Sequence, residues 1–239
     1  MYKRQNVYLS VIPDKNYFLA AENGYPVMDY EKFFALMRQK VDFADYIDLT
    51  GMLSLSSYYR TDLHWRQEML APTAKALADA MGVSLTVDFT EVTLDTPFYG
   101  VYRGQSALPM EPDRLAYLTN SVIEGCRVYD YENSEYLPVY TLEKADGSDP
   151  YEIFLSGPKS LLRIENPNAQ AERRLLVFRD SFAASLLPLL AEGYSEITLA
   201  DIRYLSPSML GKFIDFTAQD VLFLYSTSVL NDLSLIHIS

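Results

Sequence analysis

The chain has 239 residues, 49% of them hydrophobic, enough for one substantial core or one core carrying a large insertion. Its 32 acidic against 20 basic side chains give a formal charge of −12, and cations gather only in pairs and triplets such as Lys3-Arg4 and Arg173-Arg174, which argues against nucleic acid as a partner. The single cysteine, Cys126, excludes an intramolecular disulfide framework; with only two histidines, most cysteine/histidine zinc sites go as well, and no stretch approaches the ~20 apolar residues of a membrane-spanning helix.

Met1-Tyr2-Lys3-Arg4 runs straight into a predicted strand without the pattern of a signal peptide. Leu235 to Ser239 lacks cap or turn logic. Both ends are expected to be truncations of a single domain spanning 1–239. Val7 to Ile12 reads as a buried strand closed by Pro13-Asp14-Lys15. Phe33, Phe34, Met37 and Val41 recur at helical spacing behind Asp29, a plausible N-cap, and a short strand follows at Tyr46 to Leu49. Ser56 to Trp65 is polar and aromatic, with no apolar period to explain its content. A helix then starts near Pro72 and ends at Gly82, with Ala74, Leu77, Ala78 and Met81 as its buried stripe, and Leu85 to Phe89 reads as a strand.

From about 93 to 170 the texture becomes β-rich and tyrosine-rich, broken by Pro, Gly, Asn and Asp. A helix is predicted from Glu111 to Ile123, and strands at Cys126 to Tyr131, Leu137 to Leu142 and Tyr151 to Leu155. This reads as an insertion beside an α/β core. The core pattern returns with a strand at 175–178, a helix at 182–192 kinked at Pro188, a strand at Glu196 to Leu199, a helix opened by Ser206-Pro207, and a strand at Val221 to Tyr225. The fold class is therefore α/β with a mostly parallel sheet.

Leu175 to Phe178 is a continuous apolar run ending in Arg179-Asp180-Ser181, after which Phe182, Ser185, Leu186 and Leu189 take helical spacing. Ser181 thus lies on a strand-to-helix turn at the carboxyl edge of the sheet, where open α/β sheets bind ligands. Backbone N–H groups there suit an oxyanion, the need of acyl transfer through serine. Taken alone, the same serine also fits a simple N-cap. If a histidine activates it, that base is His64, because His237 lies in the doubtful tail. Asp62 stands two residues before His64, within reach of its near ring nitrogen if the segment is extended, leaving the far nitrogen for Ser181.

Other readings of these residues stand beside that one. Asp62 and His64 also fit a turn carboxylate next to a surface histidine, or half of a metal site lacking further ligands. Trp65 suits either a sugar ring or the core, and the 19 tyrosines suit a carbohydrate face or ordinary strands. Arg179 and Ala183 occupy the glycine positions of a G-x-S-x-G elbow, which disfavours the α/β-hydrolase fold.

The segment Tyr58-Tyr59-Arg60-Thr61-Asp62-Leu63-His64-Trp65 resembles the signature of the DHHW protein family of Gram-positive bacteria. Ile12-Pro13-Asp14-Lys15, Tyr102-Arg103-Gly104-Gln105-Ser106, Asp180-Ser181-Phe182, Asp201-Ile202-Arg203-Tyr204 and the run from Asp220 to Thr227 resemble the same family. That family in turn resembles the SGNH-hydrolase-like domains of the alginate O-acetylation proteins, in which an Asp-x-His pair precedes the serine. The resemblance implies an SGNH-hydrolase-like sandwich, Ser181 as nucleophile, His64 as base and Asp62 as its orienting acid. Leu63 departs from the pattern, which has a histidine there. The implied activity is that of a serine esterase or O-acyltransferase, moving acetyl groups on an extracytoplasmic or cell-envelope polysaccharide, without a metal or cofactor. The envelope location that the resemblance implies also calls for a leader or anchor encoded upstream, and a membrane-bound acyl donor is an expected partner. Arg203 and Tyr225, at or just past the ends of predicted strands, join Trp65 and Tyr59 as candidates for binding substrate. The rival is a catalytically silent glycan-binding or scaffold protein with the same fold.

Overall fold

The computed structural model describes residues 6–232; Lys3-Arg4, His237 and the Leu235 to Ser239 tail lie outside the described residues. The centre of the fold is an eight-stranded sheet. Its first edge is β2 (Asp45–Tyr46), followed by β1 (Val7–Ile12), β10 (Asp220–Ser226), β8 (Arg174–Arg179) and β9 (Glu196–Ala200), all parallel. The sheet continues antiparallel through β7 (Leu161–Glu165), β5 (Arg127–Asp130) and β6 (Glu135–Leu137). A separate antiparallel pair is formed by β3 (Thr90–Phe98) and β4 (Asp113–Thr119). Part of the β-rich region thus widens the main sheet, and part forms the hairpin beside it. The architecture is the mostly parallel α/β arrangement expected for an SGNH-hydrolase-like protein.

The apolar runs work because successive side chains on a strand face opposite ways. On β8, Leu175 and Val177 enter the large core, while Leu176 and Phe178 enter a smaller one on the other face. On β10, Leu222 and Leu224 enter the large core, while Val221 and Tyr225 join the smaller one. Leu9 and Val11 of β1 pack with Tyr30 and Phe34 of a helix, Tyr30–Lys40, which with Lys15–Asn23 before it gives α2 and α1. The third helix, α3 (Ala71–Ala80), buries Ala74, Leu77 and Ala78 in the large core. Two short helices follow, α4 (Val101–Ser106) and α5 (Ser121–Gly125).

Several local expectations are corrected. Residues 85–89 form no strand, because the backbone N–H groups of Thr86 and Val87 are taken by the Glu192 carboxylate instead of a ladder partner. The helix expected from Glu111 to Ile123 is β4 followed by α5: pairing with β3 overrides local propensity, and Asn120 caps α5 by accepting from Val122 and Ile123. The strand expected at 137–142 is reduced to Leu137 at the end of β6 and an isolated Tyr140 to Phe154 bridge before a 3₁₀ turn at Leu142–Asp146, and most of 151–155 lies in the 3₁₀ turn Pro150–Ile153. Of the strand predicted at Tyr46 to Leu49 only Tyr46 belongs to β2, which begins one residue earlier at Asp45. After Ser181, α6 is only Ala183–Leu186, and the chain tightens to 3₁₀ over Leu187–Gly193, because Pro188 has no N–H for an α-helical bond. The helix opened by Ser206-Pro207 is a single turn, Pro207–Leu210.

Candidate active site

The parallel strands β1, β8, β9 and β10 end on one edge, and there the chain places Asp14, Asp180, Asp201 and Ser226. Asp180 is fully buried and holds the turn after β8: one carboxylate oxygen accepts the Phe182 N–H at 3.1 Å and the other the Ser226 N–H at 2.7 Å. Burial pushes the Asp180 carboxyl above the usual range, opposed by these backbone bonds. Ser181 follows on this anchored turn, half-buried. The carbonyls of Asp180 and Ser181 accept the N–H groups of Ala183 and Ala184.

Asp62 and His64 arrive from a different part of the chain. Tyr58 and Trp65 form an antiparallel bridge, and Tyr59 N–H donates to the His64 carbonyl, so 58–65 closes into a narrow loop. The loop is pinned from β4, where Asp113 accepts from Arg60 N–H at 2.9 Å and Thr61 N–H at 2.7 Å. The Asp62-Leu63-His64 segment is therefore a tight turn and not the extended segment expected. Asp62 Oδ1 accepts both the His64 backbone N–H at 2.9 Å and the ring Nδ1 at 2.6 Å, and Oδ2 accepts the Val101 N–H at 3.0 Å. Burial favours the neutral acid, but the bonds and charge of His64 and the backbone N–H groups outweigh it and hold the Asp62 carboxyl below its ordinary value. The far nitrogen, His64 Nε2, lies 2.8 Å from Ser181 Oγ. Serine, imidazole and carboxylate thus meet in one hydrogen-bonded line.

A layer the sequence did not signal lies behind that line. The Tyr151 ring stacks on His64, and its hydroxyl bonds to Ser185 Oγ at 2.8 Å. Trp65 Nε1 donates to the same Ser185 Oγ and to the Phe182 carbonyl, each at 2.9 Å. Gln67 joins them, donating to the Ser185 carbonyl. This buried network ties the histidine loop to the helix behind the serine.

Two of the proposed substrate contacts are corrected by burial. Trp65 and Tyr59 are both 0% exposed, so neither offers a ring face to a sugar. Trp65 is locked by its indole bonds, and Tyr59 packs edge-on against Phe98. Tyr225 does not line the serine cavity: strand alternation turns it with Val221 into the smaller core, away from the face that carries Trp65 and Phe182. Arg203 does line that cavity, its guanidinium gripped by both oxygens of Asp201 at 2.9 and 2.6 Å. The cavity holds about 210 Å³, with His64, Tyr151, Phe154, Ser181 and Ala184 in its walls and Tyr204, 61% exposed, beside it. Leu63, where the DHHW pattern has histidine, is half-buried against the large core. No group of three or more histidine, cysteine, aspartate or glutamate side chains suited to a metal occurs among the described residues.

The folded chain was compared with solved structures. A crystal structure of a DHHW family protein from Eubacterium siraeum superposes with a TM-score of 0.76 over 94% of this chain and 78% of that chain, at 22% identity. This chain shares its fold with a DHHW family protein. The resemblance carried by the DHHW-like segment and the tertiary structure point the same way. Bacillus cereus PatB1, in a structure with a sulfonyl adduct, matches with a TM-score of 0.74 over 95% of this chain and 84% of its own, at 18% identity. The O-acetyltransferase domain of Pseudomonas putida AlgJ matches with a TM-score of 0.54 over 97% and 79%, at 17% identity. No family model and no curated protein matches the sequence. At these identities the likeness is one of fold, and the chemistry must be argued from the chain's own residues.

Proposed function

We propose that this chain is a serine esterase or O-acyltransferase that handles acetyl groups on an extracytoplasmic polysaccharide. The observation that carries the reading is the 2.8 Å contact between Ser181 Oγ and His64 Nε2, continued by the 2.6 Å contact between His64 Nδ1 and Asp62. His64 Nε2 takes the Ser181 proton as Oγ attacks the acyl carbon, and Asp62 fixes the tautomer that leaves Nε2 free. The developing oxyanion meets the backbone N–H of Ser181. Collapse expels the sugar oxygen, which takes the proton back from His64 and leaves an acetyl-serine. Water or a second sugar hydroxyl then gives its proton to His64 and attacks that ester, restoring Ser181.

The naming of the AlgJ domain as an O-acetyltransferase and the sulfonyl adduct on PatB1 support this choice of chemistry among those open to the fold. A cavity of about 210 Å³ beside Ser181 suits a short acyl group. Action on a cell-envelope glycan places the protein outside the cytoplasm, with a membrane-bound acyl donor as its partner if it transfers. Among the described residues no helix is long and apolar enough to cross a membrane.

The test is a fluorophosphonate probe combined with hydrolysis of an activated acetyl ester. The probe's mass should appear on Ser181, and Ser181→Ala should abolish both labelling and turnover. A wild-type protein that neither labels nor hydrolyses, yet binds glycan, is a scaffold. Turnover that survives Ser181→Ala but stops with a chelator belongs to a metal enzyme.

A further inference from the structure

Lys15 follows the first strand, in the segment Ile12-Pro13-Asp14-Lys15, and opens α1. Its ammonium does not project into solvent. It donates to the backbone carbonyls of Tyr59 and Asp62, and it lies over the Tyr102 ring, 4.6 Å from the centroid. Tyr102 in turn donates its N–H to the carbonyl of Thr61 at 3.0 Å. The carbonyls of Tyr59, Thr61 and Asp62 are thereby all engaged from outside the loop. The base of the lysine is fixed as well, since Asp14 accepts from Asn16 N–H at 2.9 Å, Tyr30 Oη at 2.5 Å and Thr227 Oγ1 at 2.8 Å. The ends of β1 and β10 are therefore coupled, through one cation, to the loop that carries Asp62 and His64.

We infer that Lys15 is a positioning residue for the Asp62–His64 pair, its ammonium clamping the loop in the shape that lets His64 reach Ser181. The inference rests on the serine-esterase reading. The clamp depends on charge: an ammonium offers three donors and a positive field beside the Asp62 carboxylate, whereas a neutral amine offers two donors and no field. Asp62 faces the ammonium from the loop and Asp113 from β4, and the Tyr102 ring of α4 lies over it. Burial lowers the Lys15 pKa to about 8, against the opposing pull of Asp62 and Asp113. The clamp is therefore set at neutral pH and releases in mildly alkaline solution.

The experiment is the pH profile of kcat for an activated acetyl ester, measured on wild type, K15R and K15M with S181A as the blank. Wild-type turnover should fall above roughly pH 8, while K15R, whose guanidinium keeps its proton past pH 12, should carry that fall to higher pH. K15M should lose kcat on the order of tenfold to a hundredfold at pH 7 through misplacement of His64, with KM much less affected. Near-UV circular dichroism and the thermal midpoint establish that each variant is folded; should K15M not fold, the K15R profile decides alone. A K15R profile that falls where wild type falls, or a folded K15M with wild-type kcat, overturns the inference and leaves the serine mechanism standing. A wild type no more active than S181A overturns both.

Discussion

The Tyr151 ring lies flat on the His64 imidazole, with centroids 3.9 Å apart and planes 9° apart. An imidazole becomes a cation during acyl transfer, and an aromatic face held at that distance stabilises the cation by roughly 0.5–2 kcal/mol. Tyr151→Leu should therefore lower kcat roughly 2- to 30-fold with little change in KM. Tyr151→Phe keeps the face but loses the hydroxyl bond to Ser185, so it should cost about 1 kcal/mol of stability and less activity. Steady-state kinetics and urea unfolding on the two variants separate these effects. Equal kcat in Leu and Phe variants would refute the electrostatic role of the ring.

The triad acts as a unit. Ser181→Ala should remove nearly all ester hydrolysis while leaving the thermal midpoint close to wild type; His64→Ala should remove as much activity but also lower the midpoint, because it strips the buried Asp62 of its ring partner, and the double variant should be little less active than either. Only a neutral imidazole accepts the serine proton, so wild-type turnover should show a rising pH limb as His64 loses its proton. Strictly multiplicative losses in the double variant would mean that the two residues work independently.

Asp62 links the site to stability. Its folded carboxyl is held below its ordinary value, so between that value and the unfolded one of about 3.9 the unfolded chain binds more protons. The stabilisation is thus complete above about pH 4 and disappears as pH falls through the folded value. Two carboxylate oxygens accept three N–H groups here, and an amide has a single acceptor oxygen, so Asp62→Asn must leave at least one donor unpaired. Its kcat loss should approach about 10⁴, as for a histidine held in the wrong tautomer. Urea unfolding of wild type and Asp62→Asn should show a gap that is constant from neutral pH to about 5 and closes only at the acid end. A gap closing near neutrality would assign it to another group.

Trp65 is the sole tryptophan and wholly buried, which makes it a reporter of folding and not of ligand. Its emission should resist acrylamide in the native state and stay unchanged on addition of glycan. Trp65→Ala should cost about 3–5 kcal/mol by urea unfolding, through the cavity it leaves and the bonds it strips from Ser185 and Phe182. Quenching by saccharide would restore it as a sugar platform.

By itself the sequence determined the parallel core and the carboxyl-edge position of Ser181. Strands buried on both faces leave continuous apolar runs such as Leu175 to Phe178, and these read the same in any context. Only two histidines occur, and His237 lies in a tail without cap or turn logic, which left His64 as the candidate base. The hairpin partner that turns Asp113–Thr119 from predicted helix to strand, Thr90–Phe98, is by contrast a non-local choice. What only the tertiary structure decided is the conformation around the site. Tyr151, Asp113 and Lys15 stand far from His64 and Ser181 in sequence, and nothing in their spacing reports that one stacks on the imidazole, one staples the loop and one grips its carbonyls. Burial likewise overruled the aromatic reading of Tyr59 and Trp65, because composition records how many rings a chain has while packing decides which of them still has a free face.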